Sequence, residues 1–312
     1  MGNQTTIKRA VETQGVGLHT GVAVRLRLVP AAADSGIVFR RSDLDNFPIE
    51  AHGSNVARVS YATSLMKQGV WLSTTEHLLA ALYACGIDNV FVDLDGMEVP
   101  ILDGSAEPFM EMLDRAGVRQ LRRRRRYLQV LKPVELEERD PQVAGEVRRI
   151  GVYPGREFRL RCYVDFRHPL VSAQQVEMAV ERETFRETLS RARTFCFERD
   201  IQPLRSMGLI RGGSLENAIV LTSDGVMNGP LRYPDEFGRH KALDLIGDLA
   251  LLGLPLLGTV VAHRAGHAMH TQLVASLLAD PSAWRVTTDA TMAESATTQA
   301  DASGLVAASA AD

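Results

Sequence analysis

The segment Arg239-His-Lys-Ala-Leu-Asp-Leu-Ile-Gly-Asp248 places His240, Asp244 and Asp248 four residues apart. On a helix that spacing stacks them along one stripe. Leu243, Leu245, Ile246, Leu249 and Ala250 surround them, so the helix is expected to be buried on nearly all sides. A buried carboxylate needs a cation or strong hydrogen bonds. Two readings stay open: His240 and Asp244 reach one metal ion, or they pair with each other in the core. Thr75-Glu-His77 could complete a metal site. His77 with His240 and Asp244 makes two imidazoles and a carboxylate, leaving a fourth position for water, as in hydrolytic zinc sites. Glu76, beside a ligand, could accept that water's proton. Equally, Ser73-x-x-Glu76 has the form of a capping box, in which Glu76 only caps a helix. The metalloprotease pattern H-E-x-x-H does not occur. In the stretch Ala262 to His270, His267 follows Gly266 at an expected helix start. The helix dipole there disfavours imidazolium, whereas a nearby carboxylate such as Asp248 favours it. Opposed influences of that kind suit a group that gains and loses a proton. His263 and His270 read as surface or packing residues.

Helices are expected over 74–85, capped by Ser73 and ended by Gly86, over 234–252, ended by Gly253 and Pro255, and over 267–278. Strands are expected over 22–29, 90–94 and 256–262. The order His, helix, Gly, strand recurs on both sides of five consecutive arginines, Arg122 to Arg126. The expected fold is therefore α+β, with two similar domains, each a β-sheet packed with helices, and an active site at the interface between them. Residues 1–121 form the first domain, 122–128 an arginine-rich linker, 129–280 the second domain, and 281–312 a disordered tail. A phosphate-contacting patch is the alternative reading of the arginine run.

With 35 Lys and Arg against 38 Asp and Glu, a globally basic nucleic-acid binder is excluded. The three cysteines have no C-x-x-C spacing, which removes a thiolate zinc site and a disulfide framework. The most apolar stretch, Leu249 to Ala262, is interrupted by Gly253, Pro255 and Gly258 and is too short to span a bilayer. Met1 to Val11 has no apolar signal-peptide region. A cytoplasmic location is expected. Neither G-x-G-x-x-G nor G-x-x-x-x-G-K-[ST] occurs, so any nucleotide is bound without those loops.

Five segments in order resemble the zinc-dependent UDP-3-O-acyl-N-acetylglucosamine deacetylases of lipid A biosynthesis. They are Gly15-Val-Gly-Leu-His-Thr-Gly21, Ser73-Thr-Thr-Glu-His-Leu-Leu79, Pro100-Ile-Leu-Asp-Gly-Ser105, Ala192-Arg-Thr-Phe195, and Arg239 to Asp248 with Gly266-His267. The resemblance implies zinc ligation by His77, His240 and Asp244, with Fe2+ able to replace Zn2+ in such a ligand set. It implies Glu76 as general base, His267 as general acid or electrostatic partner hydrogen-bonded to Asp248, and Thr194 as a hydroxyl holding the oxyanion. Lys241 would contact the sugar nucleotide and Phe195 the glucosamine. Phe197, Ile201 and Gly212 would line an acyl passage, and Leu18 and His19 would lie near substrate. The implied partner is one acylated UDP-sugar, handled by a monomer without nucleic acid or stable membrane insertion.

Overall fold

The structure, a computed structural model, describes residues 2–57, 59–140, 145–166, 168, 171 and 173–288. Alternation in Ala23–Pro30 buries Val24, Leu26 and Leu28 and exposes Ala23, Arg25 and Arg27, as the two-residue period of a half-buried strand requires. This strand belongs to a five-stranded sheet ordered Val11–Val16, Ala23–Pro30, Val90–Leu94, Ile37–Arg41, Phe47–Glu50. A seven-stranded sheet in the other half is centred on Leu256–His263. That strand pairs antiparallel with Val147–Pro154 and parallel with Phe158–Val164 and Tyr127–Val130.

Helices α1 (Glu76–Ala84) and α2 (Glu107–Ala116) belong to the first half. Helices α3 (Arg182–Thr188), α4 (Glu198–Ser206), α5 (Glu236–Leu249) and α6 (His267–Ala279) belong to the second. The architecture is the expected α+β one, and α1 of the first half packs directly on α5 of the second, with α6 on α5 behind it. Leu78, Leu79 and Leu82 of α1 lie in one continuous core with Leu245, Ile246 and Leu249 of α5. Gly86 and Gly253 end the chain segments of α1 and α5 in left-handed conformation. Between α5 and Gly253 lies a 3₁₀ turn, Ala250–Leu252. Among the described residues no helix is long and apolar enough to cross a membrane.

Two expectations shift. Part of the arginine-rich linker is strand: Arg122 to Arg124 finish the strand Val118–Arg124, which pairs antiparallel with Asn3–Ile7. Three of its five charges are met by neighbouring carboxylates, Arg123 and Arg126 by Asp34 and Arg125 by Asp88. The expected tail also begins later, because Trp284–Thr287 is an edge strand paired with Tyr127–Val130. The rest of that tail, from 289, lies outside the described residues.

Helix α5 crosses the start of α1 with the backbones in close approach. A Cβ on Gly247 would lie 2.1 Å from the carbonyl oxygen of Glu76, a distance no real contact tolerates. Position 247 must be glycine for the two helices to meet at this separation. Replacing Gly247 with Ala is expected to destabilise the protein by about 1–3 kcal/mol, the usual cost of overpacking. Urea unfolding measures this, and an unchanged midpoint would show that the helices can separate freely.

Candidate metal centre and active site

The first turn of α1 and the middle of α5 supply the centre. Helix α1 begins at Glu76, with Thr75 at its cap and no side-chain capping bond. The capping-box alternative is therefore not realised: the Ser73 hydroxyl accepts from Ser64, and Glu76 Oε2 accepts from the backbone N–H of Thr63 at 3.1 Å. Glu76, His77, His240, Asp244 and Asp248 are all buried.

His77 Nε2 and His240 Nε2 lie 3.5 and 3.4 Å from Asp244 Oδ1, and the two rings meet edge to face at 5.0 Å. His240 Nδ1 is 3.1 Å from the carbonyl of Ala192. A carbonyl only accepts, so Nδ1 carries the proton. Burial holds the His240 pKa down at about 3 despite the Asp244 carboxylate, so the ring is neutral and its Nε2 bears a lone pair. That lone pair faces Asp244 Oδ1, a buried oxygen with no hydrogen-bond partner. Lone pairs converging on one point without a proton between them are unfavourable unless a cation sits among them. Their spacing of about 3.4 Å suits neighbouring donors around a tetrahedral ion held at about 2.0–2.1 Å. The residues present therefore fit a divalent metal.

Lys241 Nζ donates to the other Asp244 oxygen at 2.8 Å and lies 5.7 Å from the Phe195 ring centroid. Burial would raise the Asp244 pKa, but neighbouring positive charge, with Lys241 in direct contact, holds it well below the usual carboxylate range. Burial pushes the Glu76 carboxyl up, against the opposing pull of His267 and His77.

Beside this cluster, Asp248 Oδ2 accepts from Nδ1 of His267 at 2.7 Å and from Nδ1 of His270 at 2.8 Å. Burial alone would lower the His267 pKa, but Asp248 outweighs it and raises the value to about 9. His267 is thus cationic at neutral pH, with Nε2 turned inward, 3.7 Å from Asp244 Oδ2. Asp248, His267 and His270 form a second His/Asp group, but its imidazole Nδ1 atoms are already committed to the carboxylate.

The Ala192-to-Phe195 segment is held from three sides. Ala192 supplies the carbonyl to His240, Arg193 clasps the buried Glu236 at 2.9 Å, and the Thr194 N–H donates to Gly104 at 2.8 Å. Gly104 has φ +82°, and a Cβ there would meet the Asn217 carbonyl at 2.0 Å. This explains the glycine within Pro100 to Ser105. Phe195 stands edge-on to Phe237 and 6.2 Å from the His240 ring. Phe197 lies 6.4 Å from Phe195, and Ile201 is in α4, the next element. Leu18, His19 and Gly212 meet as a separate loop pair: Gly212 N–H donates to the Leu18 carbonyl at 3.0 Å, and Arg211 N–H to that of His19 at 3.2 Å. The link from this pair to α1 is Glu98, which accepts from the His19 and Thr20 N–H groups and from the hydroxyls of Thr20 and Thr74.

Thr63, Glu98 and His270 were not legible as site residues. His270 is a packing residue as expected, but it also donates to Asp248. Its signal was present, since His267 and His270 are three apart and share a helix face. Thr63 and Glu98 act across long sequence distances and carried no local pattern.

A buried two-histidine, one-carboxylate centre, flanked by a buried carboxyl and a cationic histidine between two α/β layers, fits a metal-dependent hydrolase. The family model for UDP-3-O-acyl N-acetylglycosamine deacetylase matches residues 4–279. Proteins named UDP-3-O-acyl-N-acetylglucosamine deacetylase are similar throughout. One from Solibacter usitatus is 53% identical over 91% of this chain and 94% of its own length. Others from Anaeromyxobacter dehalogenans and Myxococcus xanthus are 46% and 44% identical, each over 91% of this chain, covering 90% and 89% of their own lengths. The chain belongs to the UDP-3-O-acyl N-acetylglycosamine deacetylase family.

Changing His77 to Ala should abolish stoichiometric metal binding while the circular dichroism spectrum is kept. The affinity loss should exceed the roughly 10–100-fold typical for an outer-sphere partner. Full metal content measured by elemental analysis would remove His77 from the ligand set.

Proposed function

We propose that this protein hydrolyses the acetamide of UDP-3-O-acyl-N-acetylglucosamine, yielding acetate and the free 2-amino sugar nucleotide, the committed step of lipid A biosynthesis. The observation that carries the reading is the unpartnered Asp244 Oδ1 facing two imidazole Nε2 atoms, with Glu76 and His267 on either side. His77, His240 and Asp244 would hold the ion. The donor set suits zinc and also accepts ferrous iron. When bound, such an ion supplies Lewis acidity, acidifying water and polarising the substrate carbonyl.

The chain's own groups account for the proton movements. Glu76, its carboxyl raised by burial, accepts a proton from the attacking water. The Thr194 hydroxyl donates to the oxygen that gains negative charge, a preorganised interaction that strengthens only as the charge develops. His267, clamped at Nδ1 by Asp248, delivers the Nε2 proton to the leaving nitrogen as the C–N bond breaks. Lys241 and Phe195 fit contacts to the sugar nucleotide and the glucosamine ring. Phe197, Ile201 and Gly212 fit an acyl passage, with Leu18 and His19 at its loop. The unpaired state of Cys85, Cys162 and Cys196 is consistent with a reducing, cytoplasmic setting.

Glu76→Gln should retain the metal yet lose acetate release by about 10²–10⁴-fold, the range for a general base. Thr194→Val should lose about 10²–10³-fold. Acetate release by Glu76→Gln at the wild-type rate would sink the base assignment.

A further inference from the structure

Thr63 stands at the junction of the base and acid sides of the centre. It is fully buried and lies in the loop before the strand Leu65–Lys67. All of its polar groups are engaged, and none of these bonds is to a sequence neighbour. Its N–H donates to Glu76 Oε2 at 3.1 Å. Its hydroxyl is 2.5 Å from Asp248 Oδ1 and 3.2 Å from His267 Nδ1. Its carbonyl accepts from the Thr75 N–H at 3.4 Å and from the Thr75 hydroxyl at 3.3 Å.

The direction of each bond follows from chemistry. Asp248 is a carboxylate and only accepts, so the Thr63 O–H donates to Oδ1. Oδ2 is already occupied by the two imidazole N–H groups. The Thr63 oxygen is then free to share the His267 Nδ1–H with Oδ2. Asp248 is thereby held at both oxygens and cannot turn about its Cβ–Cγ bond. Without the hydroxyl, Oδ1 would be a buried acceptor left unpaired. The carboxylate could then rotate, carrying His267 and its inward Nε2 with it.

We propose that Thr63 is a positioning residue that locks the Asp248–His267 pair and the Glu76 carboxylate into one fixed relation, so that base and acid address the same substrate amide. The proposal rests on the deacetylase reading above. It assigns Thr63 an action on turnover through Asp248 and His267 and no direct contact with substrate.

The test uses the full-length metal-loaded enzyme and acetate release, comparing Thr63→Val, Thr63→Ala and Thr63→Ser. Val and Ala both remove the hydroxyl but keep the backbone N–H to Glu76, so whichever of them folds decides. The hydroxyl-free variant should lower kcat by about 10–100-fold, as loss of an outer partner typically does. KM and metal content should stay within about twofold of wild type, and Thr63→Ser should recover most of the loss. In a His267→Gln background, removing the hydroxyl should cost little more, because its effect passes through that histidine. Unchanged kcat without the hydroxyl, or a serine variant as slow as the valine one, overturns the role of Thr63. A wild-type enzyme that releases no acetate overturns the deacetylase reading instead.

Discussion

Helix α5 can lie against the start of α1 only because residue 247 has no side chain, and the active centre depends on that contact. Asp244 and Asp248 sit three residues before and one after Gly247 on α5. Glu76, whose carbonyl would collide with a Cβ at 247, opens α1 immediately before His77. The backbone contact thus sets the reach between Glu76 and His77 on α1 and Asp244 and Asp248 on α5.

The same closeness excludes solvent, which turns the charges into a constraint on one another. Ionised groups taken out of water each lose several kcal/mol of solvation. Asp248 offsets this with three hydrogen-bond donors. Asp244 offsets it at Oδ2 with Lys241. At Oδ1 no protein donor is available, and the two nearest nitrogens present at least one lone pair rather than a proton. A bound divalent ion would place positive charge beside that unpartnered oxygen. Metal affinity and burial are in this sense the same feature.

Much of this arrangement is readable in the sequence. The four-residue spacing of His240, Asp244 and Asp248, set among apolar positions, identified a buried helix whose polar stripe needed explaining. Gly86 and Gly253 marked helix ends correctly because a left-handed residue after a helix is a local requirement. The arginine run misled because composition does not register partners. Asp34 and Asp88 are far away in sequence, and only pairing with Asn3–Ile7 turns the run into a strand. Ser73-x-x-Glu76 matched a capping box, yet Glu76 was recruited by Thr63, since a bond to a buried carboxylate outweighs a local cap worth about 1 kcal/mol. Thr63 and Glu98 were illegible for the same reason. Their partners lie up to 204 residues away, and a lone threonine or glutamate has no periodicity to betray it.

Glu98 shows how the metal side and the loop assigned to substrate are kept in register. Thr74 holds φ +60°, a costly conformation for a β-branched residue, just before α1 begins. Its hydroxyl donates to Glu98 Oε1, the same oxygen that accepts the His19 N–H. Oε2 accepts both the N–H and the hydroxyl of Thr20. One buried side chain therefore fixes the strained turn that aims Glu76 and His77 and also the Leu18–Thr20 loop that packs on Gly212. Ile210, two residues before Gly212, is likewise left-handed with φ +49°, so the Gly212 side of the loop pair also carries backbone strain. Strain of this kind survives only where surrounding bonds over-determine the geometry. The chemistry rests on helices locked by packing, while the loop pair is tied to them through a carboxylate.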